Sequence, residues 1–469
     1  MTATIGADLP ALAAAASTRA ALVCDEEVVS RAALAARVSA VAAHLAENTA
    51  PGQGVALAMG NGPELVEAFL ACAISGRQAL VYDPGWPAPY RAAIDAALAP
   101  AITLETLPEP ALSTPASAPF PPPPAPDAPF YVGFTSGSTG LPKGYRRSHR
   151  SWIDSFAASE VEFGLGEQDV VLAPGGLAAS LHLYGVVHAL HIGARAVMMR
   201  QFHPRRALRL IARHGVTALY ATPTQLQMLI EAGAGESFPT LRLLMISGAK
   251  WRAETRAATQ ALFPNAGIAE FYGASETSFI TIARPGEDVP PGSVGRPAYG
   301  VTLRIRDGAG RDLPAGEAGA IWVASTMLFD AYACGDAPET RRVGGFLTIG
   351  DHGRLDEAGF LYLHGREKRM LVTSGLNVYP EEVETVLASL PGIAEAAVFG
   401  LPDFLRGVEL VAVLRGAVDE PALRAACRGL LPAAKIPRRF LSLEDWPRTS
   451  GGKADLRALE AIARDRFAR

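Results

Sequence analysis

The sequence has no excess of positive charge. Its 469 residues include 43 Lys and Arg against 47 Asp and Glu, which gives a formal net charge of −4. A chain without a basic surplus cannot displace counterions efficiently, so generic nucleic-acid binding is excluded. Hydrophobic residues make up 49% of the chain and charged residues only 19%, too apolar a composition for a disordered protein. We expect about two to four compact domains.

Cysteine is scarce and widely spaced. No two cysteines lie close enough in sequence for a Cys-x-x-Cys pair or a compact zinc cluster. The four positions are Cys24, Cys72, Cys334 and Cys427. This usage favours a reducing, cytoplasmic location.

Long hydrophobic runs are also missing. No apolar segment approaches the roughly 18 residues that a membrane-spanning helix requires, so we expect no stable membrane insertion. Near the start of the sequence, the run Ala11–Ala16 follows Asp8 and Pro10, and no basic residue precedes it. This pattern argues against a signal peptide.

The first hundred residues alternate between helical and strand patterns. Ser30 is a potential N-cap, and apolar residues recur after it at helical spacing, at Leu34, Val38, Val41 and Leu45. Pro63 is suited to the first turn of a second helix. Short apolar runs at 54–59 and 78–82 flank that helix and are typical of buried strands. The order strand, helix, strand predicts a parallel α/β layer.

A proline-rich connector at 107–129 precedes the strand pattern 130–134. Alternation of helices and strands continues beyond it, with a helix predicted at 204–214. From 301 to 323, shorter strands with Asp-Gly and Pro-Ala-Gly turns indicate a β-rich subdomain. The further strands are predicted at 170–172, 194–199, 218–220 and 243–247.

The segment Thr135–Gly144 combines three glycines, four hydroxyls and Lys143. Glycines allow close approach of the backbone to a ligand, and hydroxyls and a cation suit a polyphosphate. Taken alone, such a segment is also typical of a flexible turn. Pro142 precedes the lysine and Gly144 follows it, so the spacing is not that of a Walker A loop. A P-loop ATPase or kinase is therefore disfavoured.

This loop is the first of five motifs that resemble, in order and spacing, the signatures of the adenylate-forming superfamily. That superfamily includes acyl-CoA synthetases, peptide-synthetase adenylation domains and firefly luciferase. In this chain Ser275 replaces the usual Thr of the second motif, and Ile349 is inserted in the Thr-Gly-Asp motif. The remaining motifs are 271–277, 348–351, 365–384 and 447–453.

The resemblance implies an α/β fold with two domains. Residues 1–367 are expected to form a large N-terminal adenylation domain of α/β subdomains plus a β-rich subdomain. Residues 368–469 are expected to form a small, mobile α+β domain that carries the catalytic lysine.

The resemblance also implies an ATP-dependent acid:CoA ligase, an acyl-CoA synthetase that requires Mg²⁺. Such an enzyme joins a carboxylic acid to the α-phosphate of ATP, releases pyrophosphate, and then transfers the acyl group to the thiol of CoA. Two anions meet in the first step, so cations and oriented donors are needed at the developing charge.

Roles within the nucleotide site follow from the same resemblance. Residues Thr135–Gly144 enclose the β- and γ-phosphates, Ser275 donates to the α-phosphate, and Glu276 is both a catalytic residue and the Mg²⁺ ligand. Asp351 accepts the ribose hydroxyls. The implied ATP- and AMP-binding residues are Thr135, Ser136, Gly137, Ser138, Thr139, Gly140, Lys143, Tyr272, Gly273, Asp351 and Arg366.

Three further residues are implied for the catalytic cycle. Lys453 follows two glycines and is expected to bridge the carboxylate and the α-phosphate as a mobile point charge. Lys368 is the expected hinge of the C-terminal domain, and Gly375 would let pantetheine pass close to the backbone in the thiol tunnel. Basic residues at 435, 438 and 439 are candidates for the CoA phosphates, with a solvated cluster as the alternative.

The acid substrate is expected to be neutral apart from its carboxylate. Amino-acid-activating relatives carry an acidic residue after the phosphate loop, whereas the stretch 174–185 contains no carboxylate. A buried ammonium without a partner is costly, so an acyl (fatty) or aryl acid fits better than an amino acid. His182 resembles the gate of acyl-CoA synthetases and is a catalytic candidate, with a packed core histidine as the alternative. Tyr184 is expected beside it.

The thiol acceptor stays open at this point. CoA and an acyl carrier protein present the same phosphopantetheine arm, so an enzyme that loads a carrier protein is the alternative function. A non-catalytic nucleotide or acyl-ligand sensor is a further alternative, against which the retained Glu276, Asp351 and Lys453 argue.

Overall fold

The chain divides into two compact units. The computed structural model describes residues 4–108, 120–135, 142–248, 255–335, 337–373, 376–403, 407–428, 430–449 and 453–467. The first unit comprises Met1–Leu303 and Val323–Ala337, and the second comprises Arg304–Trp322 and Pro338–Arg469. The expected domain boundary between residues 367 and 368 lies within the second unit and stays a prediction.

The first unit alternates helices and strands. Its helices are α1 (Leu9–Ala15), α2 (Arg31–Asn48), α3 (Pro63–Ile74), α4 (Ala88–Leu98), α5 (His149–Phe163), α6 (Ser180–His191), α7 (Pro204–His214), α8 (Pro223–Ala232) and α9 (Arg256–Leu262). Its strands are β1 (Ala20–Cys24), β2 (Glu27–Ser30), β3 (Gly54–Leu57), β4 (Gln78–Val81), β5 (Ile102–Leu104), β6 (Pro129–Thr135), β7 (Lys143–Ser148), β8 (Val170–Ala173), β9 (Arg195–Met198), β10 (Ala218–Ala221), β11 (Leu243–Ile246), β12 (Gly267–Ala274), β13 (Ser278–Ala283), β14 (Arg296–Pro297) and β17 (Ala331–Cys334).

One sheet of the first unit has the strand order β14-β13-β12-β11-β10-β8-β9-β1-β2. Its middle strands, from β12 to β1, pair in parallel, and antiparallel strands flank them. All four residues of β11 are buried, as expected for a parallel strand covered on both faces. The predicted strands at 170–172, 194–199, 218–220 and 243–247 are confirmed as β8, β9, β10 and β11.

A second sheet of the first unit has the order β17-β7-β6-β4-β3-β5. The strands β3 and β4 pair in parallel, as the order strand, helix, strand predicts. In α2, the Ser30 hydroxyl accepts a hydrogen bond from the Ala33 amide at 3.1 Å, and the apolar positions of the predicted helix are buried. The predicted N-cap and the Pro63 start of α3 are both confirmed.

The second unit contains the β-rich segment and the C-terminal residues. Its strands are β15 (Thr302–Arg306), β16 (Gly319–Ala324), β18 (Arg341–Val343), β19 (Phe346–Thr348), β20 (Asp351–Leu355), β21 (Leu361–Arg366), β22 (Leu371–Thr373), β23 (Leu376–Val378), β24 (Ile393–Asp403), β25 (Gly407–Gly416) and β26 (Arg439–Ser442). Its helices are α10 (Pro380–Ala388), α11 (Glu420–Arg428) and α12 (Leu456–Phe467). The sheet β18-β19-β16-β20-β21, with β15 beside β16, confirms the predicted β-rich subdomain.

Towards the C-terminus, β24, β25 and β26 form a sheet with an apolar cluster on each face. Side chains alternate between the faces of a strand, so Val398 joins one cluster while Ala397 and Phe399 join the other. Helix α10 contributes Val383 to the first cluster, and α12 contributes Leu459 to the second. This α+β arrangement agrees with the expectation for the C-terminal region. Within the described part of the chain, no helix is both long enough and apolar enough to cross a bilayer.

Candidate active site

The predicted phosphate loop connects two antiparallel strands. Thr135 ends β6 and Lys143 begins β7, and the register pairs these two residues directly. A Walker A loop leads from a strand into a helix, so the hairpin agrees with the exclusion drawn from the sequence. The predicted binding residues Ser136, Gly137, Ser138, Thr139 and Gly140 lie outside the described residues.

The two residues that flank the loop, Thr135 and Lys143, carry groups that suit a phosphate. The Thr135 hydroxyl oxygen is buried and has no hydrogen-bond partner among the described residues. The Lys143 ammonium lies 5.2 Å from the centre of the Tyr332 ring, which fixes its direction by a cation–π contact. A hydroxyl available for hydrogen bonding and an oriented cation are what a polyphosphate requires.

The second motif forms the tight turn between β12 and β13. Ala274 pairs with Ser278, so Ser275, Glu276 and Thr277 make a three-residue loop. The Thr277 amide donates to the Ala274 carbonyl at 3.0 Å, and Ser278 adopts a left-handed conformation with φ of 57°. At Gly273, a Cβ atom would collide with the Ser278 carbonyl, so the motif glycine is required by close backbone approach.

Glu276 is a buried carboxylate held from two directions. Its residue is only 7% exposed, and its Oε1 accepts a hydrogen bond from the Tyr332 hydroxyl at 2.8 Å. The Phe329 amide donates to the Glu276 carbonyl at 2.8 Å. The carboxylate and the Lys143 cation therefore share one contact residue, Tyr332.

The Ser275 hydroxyl is partly buried and belongs to a set of four neighbouring hydroxyl groups. It lies 3.1 Å from the Ser180 hydroxyl, and the hydroxyls of Tyr131 and Tyr145 are 2.8 Å apart. Burial raises the pKa of Tyr145, so its phenol stays protonated and can donate a hydrogen bond. The sequence predicted Ser275, and the structure adds Ser180 as its neighbour.

Tyr272 lies on β12 opposite Thr281 and is partly buried. Its place one residue before Gly273 keeps it beside the turn. The structure thus brings Thr135, Lys143, Ser275 and Glu276 onto two hairpins of one unit, with Tyr272 on a strand of the second hairpin.

The ribose and ATP-binding candidates Asp351 and Arg366 face each other in the second unit. They are cross-strand partners of β20 and β21, and the Arg366 Nε lies 2.9 Å from the Asp351 Oδ1. The Asp351 side chain is 9% exposed, whereas the Arg366 side chain is 61% exposed. The register explains why the two motif residues meet although 15 positions separate them in the sequence.

Lys453 also belongs to the second unit. Although the residue is exposed, desolvation of its ammonium and the positive charge of Arg366 lower its pKa. Lys453 is therefore close enough to Arg366 for the two positive charges to repel each other. A lysine next to another cation is poised to accept an anionic ligand.

The predicted gate residue His182 is packed in this structure. It lies on α6, is 3% exposed, and a Cβ atom on Gly175 would collide with its ring. Burial lowers the pKa of His182 to about 4, so the imidazole is neutral near pH 7. This geometry is the packed arrangement that the sequence left as an alternative, and a gating role stays a prediction.

Tyr184, two residues further along α6, packs among aromatic rings. Its hydroxyl donates to the Ser155 carbonyl at 2.8 Å. The ring contacts Trp152, Phe156 and Tyr220, with centroid separations from 5.0 to 6.3 Å. Tyr184 is therefore surrounded by aromatic rings, and its own hydroxyl is satisfied by the Ser155 carbonyl.

The predicted hinge residue Lys368 lies in a short 3₁₀ helix, Glu367–Arg369. Ion pairs anchor both neighbours, since Arg341 contacts Glu367 at 2.9 Å and Arg369 contacts Glu384 at 2.6 Å. The predicted tunnel residue Gly375 lies outside the described residues.

Another contact joins the segments before and after this 3₁₀ helix. The Tyr379 hydroxyl and the His352 Nδ1 are 2.8 Å apart, and the two rings pack with centroids 5.4 Å apart.

The basic residues predicted as CoA contacts make ion pairs within their own unit. Lys435 pairs with Glu382 at 2.7 Å, and Arg439 pairs with Glu409 at 2.7 Å. A role of these two side chains with CoA would compete with those carboxylates. Arg438 is exposed.

The sequence is similar to those of known enzymes. The family model of the AMP-binding enzyme matches residues 10–333, and that of the AMP-binding enzyme C-terminal domain matches residues 382–453. The chain is 41% identical over 330 residues to the uncharacterized acyl-CoA ligase YhfT of Bacillus subtilis, which covers 70% of this chain and 67% of that protein. It is 33% identical over 363 residues to the fatty acid–[acyl-carrier-protein] ligase ScoC of Streptomyces coeruleorubidus, with 73% and 68% covered.

The fold is also similar to that of a solved adenylate-forming enzyme. The O-succinylbenzoate CoA synthetase MenE of Bacillus subtilis, in complex with ATP and magnesium ion, has a TM-score of 0.86 and 26% identity, with 96% of this chain and 98% of that chain covered. The chain belongs to the AMP-binding enzyme family of the adenylate-forming superfamily. It is an AMP-forming acid–thiol ligase, as the motifs predicted.

The residues present suit ATP with Mg²⁺. Among the described residues, no group of three or more His, Cys, Asp or Glu side chains could hold a metal by itself. Mg²⁺ is commonly bound by one or two carboxylates together with phosphate oxygens, and Glu276 offers one buried carboxylate. Bound Mg²⁺ would neutralise charge on the triphosphate, with Glu276 as its protein ligand.

Three residues of this site escaped the sequence analysis. Tyr332 and Ser180 lie 56 and 95 positions from the motif residues that they contact, and no local pattern marks them. Arg147 is a buried charge on β7, and the polar sequence of that strand does not distinguish it from its neighbour Arg146.

We predict that Glu276→Gln weakens the use of Mg·ATP. An amide is a poorer ligand for a hard cation than a carboxylate, so the rate of acid-dependent pyrophosphate exchange should fall by about 10²-fold and the Mg²⁺ concentration for half-maximal rate should rise. A Mg²⁺ titration of both proteins measures this.

Glu67→Gln is the matched control, since Glu67 on α3 is another buried carboxylate, paired with Arg37 at 3.1 Å. An unchanged Mg²⁺ titration in Glu276→Gln would remove Glu276 from the metal site.

Proposed function

We propose that this chain is an ATP-dependent acid:CoA ligase whose acid is an acyl or aryl acid without a second charged group. The observation that carries the proposal is the pair of contacts at Tyr332, whose hydroxyl donates to Glu276 in the turn between β12 and β13 and whose ring contacts the Lys143 ammonium. This places a metal-binding carboxylate and a phosphate-binding cation around a shared aromatic ring.

In the first half-reaction, the two hairpins bind the triphosphate of ATP. Lys143 and the Thr135 hydroxyl contact the outer phosphates, and the Ser275 hydroxyl donates to the α-phosphate. The acid carboxylate attacks that phosphorus, the bond to pyrophosphate breaks, and an acyl-adenylate remains. Fixed donors stabilise the charge that develops on the α-phosphate without rearranging during the reaction.

Residues of the second unit have separate proposed roles with ATP and the acid. Asp351 accepts the two ribose hydroxyls, and its pairing with Arg366 at 2.9 Å orients the carboxylate. Lys453 bridges the acid and the α-phosphate. The lowered pKa of Lys453 fits this role, because binding of an anion next to Arg366 removes the repulsion between the two cations.

The proposed class of acid follows from the side chains near α6. The stretch 174–185 contains no carboxylate that could pair with a substrate ammonium. Trp152, Phe156 and Tyr184 supply an apolar surface next to it. An acid with a neutral acyl or aryl group is compatible with these surroundings, and His182 and Tyr184 are the side chains that we place at its entrance.

The acceptor in the second half-reaction is the CoA thiol. Relatives named as CoA ligases support this acceptor, and the name of ScoC is the reason to test a carrier protein as the alternative. We also propose a cytoplasmic location, supported by four cysteines that are all free thiols.

The function is tested with the purified wild-type protein and a panel of carboxylic acids. We expect acid-dependent pyrophosphate release with fatty or aryl acids, no release with α-amino acids, and thioester formation with CoA. A phosphopantetheinylated carrier protein assayed in parallel identifies the alternative acceptor. Absence of acid-dependent pyrophosphate exchange with every acid would refute ligase activity.

We predict that Lys453→Ala reduces adenylate formation by about 10²–10³-fold, because it removes a cation from the place where negative charge accumulates. Supplying preformed acyl-adenylate with CoA should restore much of the lost thioester formation. The control is Arg464→Ala, which removes an exposed cation from α12 that pairs with Glu460 at 2.7 Å. Near-normal pyrophosphate exchange in Lys453→Ala would contradict the assignment.

We predict that Lys368→Pro separates the two half-reactions. Proline restricts φ to about −65°, a value that the 3₁₀ conformation allows, and so opposes rotation at this position. Pyrophosphate exchange should survive while thioester formation falls steeply. Lys368→Ala isolates the effect of losing the ammonium alone. Equal loss of both half-reactions in Lys368→Pro would indicate general damage, and retention of both would show that the chain does not pivot at this residue.

A further inference from the structure

Arg147 is a buried cation whose hydrogen bonds reach three separate segments of the first unit. The residue lies on β7 and is 2% exposed. Its Nη1 donates to the Ser275 carbonyl at 2.8 Å, and its Nη2 donates to the Ser278 hydroxyl and the Met327 carbonyl, both at 2.7 Å. Its Nε donates to the Ser151 hydroxyl at 3.1 Å, and its Nη2 also lies 3.2 Å from the Ser151 carbonyl.

Two of these acceptors lie at opposite ends of the turn that presents Glu276. Ser275 opens the loop, and Ser278 closes it in the left-handed region with φ of 57°. A residue with a Cβ atom rarely adopts this conformation without support from its surroundings. The hydrogen bond from Arg147 to the Ser278 side chain is such a support.

The third acceptor connects Arg147 to the other contacts of Glu276. The Met327 carbonyl belongs to the segment before β17, and Phe329 in the same segment donates its amide to the Glu276 carbonyl at 2.8 Å. Tyr332, on β17 itself, donates to the Glu276 carboxylate. One guanidinium therefore contacts both the turn that carries the metal ligand and the segment that leads to Tyr332.

The acceptors that the structure shows for Arg147 are carbonyl and hydroxyl oxygens. Burial lowers the pKa of Arg147 to about 10, so the guanidinium is charged at neutral pH. Its planar fork of donors matches several acceptors at once, which the single ammonium of a lysine cannot do.

We propose that Arg147 is a positioning residue for adenylate formation. It fixes the turn of Ser275 and Glu276 against the segment of Met327, and thereby holds the serine hydroxyl and the carboxylate in the geometry that Mg·ATP requires. The inference rests on the proposed roles of Ser275 and Glu276.

The test compares Arg147→Met and Arg147→Lys with wild-type protein in acid-dependent pyrophosphate exchange. A displacement of about 1 Å in a catalytic group can cost about 10²-fold in rate, so we expect a fall in kcat of that size in both variants. The Mg²⁺ concentration for half-maximal rate should rise with it. Similar loss in Arg147→Lys would assign the effect to the donor geometry, whereas full activity in that variant would overturn the positioning role.

The matched control is Arg31→Met. Arg31 on α2 is another buried arginine, 5% exposed, which donates to the Gly193 carbonyl and to Glu167. Its removal should lower Tm and leave the Mg²⁺ dependence unchanged. If Arg147→Met lowers Tm to a similar extent and also leaves kcat and the Mg²⁺ dependence unchanged, Arg147 is structural only and the proposal fails.

A second pair of variants keeps the test decisive if Arg147→Met folds poorly. Ser278→Ala leaves Arg147 in place but removes one acceptor, and we expect a smaller loss in kcat of about tenfold with a raised Mg²⁺ requirement. In the double variant Arg147→Met, Ser278→Gly, glycine adopts the left-handed conformation without strain, so part of the lost rate should return. Unchanged kinetics in Ser278→Ala would contradict the proposal.

Failure of the proposed function has a different signature. A wild-type protein without acid-dependent pyrophosphate exchange would refute the ligase activity before any variant is compared. If the wild type is active and Glu276→Gln leaves the Mg²⁺ titration unchanged, the metal role of Glu276 fails. A third outcome refutes the positioning role alone. In that case the wild type is active, Glu276→Gln changes the Mg²⁺ titration, and Arg147→Met behaves like Arg31→Met.

Discussion

A buried carboxylate has to be held by hydrogen bonds, and the first unit meets this requirement at Glu276 with segments that are far apart in the chain. The tight turn after β12 supplies the residue, β17 supplies the Tyr332 hydroxyl, and β7 supplies the guanidinium beneath the turn. An ionised group left without such partners would be expensive to bury. The turn belongs to the large sheet, through β12 and β13, and β7 and β17 belong to the second sheet of the same unit. Strand pairing in these sheets fixes the positions of the three segments.

The periodic elements were predictable from the sequence because their signals are local. Ser30 caps α2 as its position before an apolar helical pattern predicts, and Pro63 begins α3. The motif residues were found through resemblance, which identifies residue types but not their partners. Contacts such as that of Tyr332 with Glu276 depend on strand register and on loops that join distant parts of the chain, and no short sequence window contains that information.

The Asp351–Arg366 pair shows how register produces a site that spacing alone conceals. The two residues are opposite each other on antiparallel strands, so the carboxylate and the guanidinium meet at 2.9 Å. The carboxylate is mostly covered, whereas the arginine is mostly exposed. Binding of ribose hydroxyls by this carboxylate stays a prediction.

The hydrogen bond between Tyr379 and His352 has an energetic consequence for the rotation that we predict at Lys368. The two residues lie on opposite sides of that position in the sequence, so a rotation that separates them would break their contact. A net value of about 0.5–1.5 kcal/mol for one hydrogen bond corresponds to a population ratio of about two- to tenfold. A ligand that binds the rotated orientation more tightly by a factor of this size would offset the contribution of this hydrogen bond.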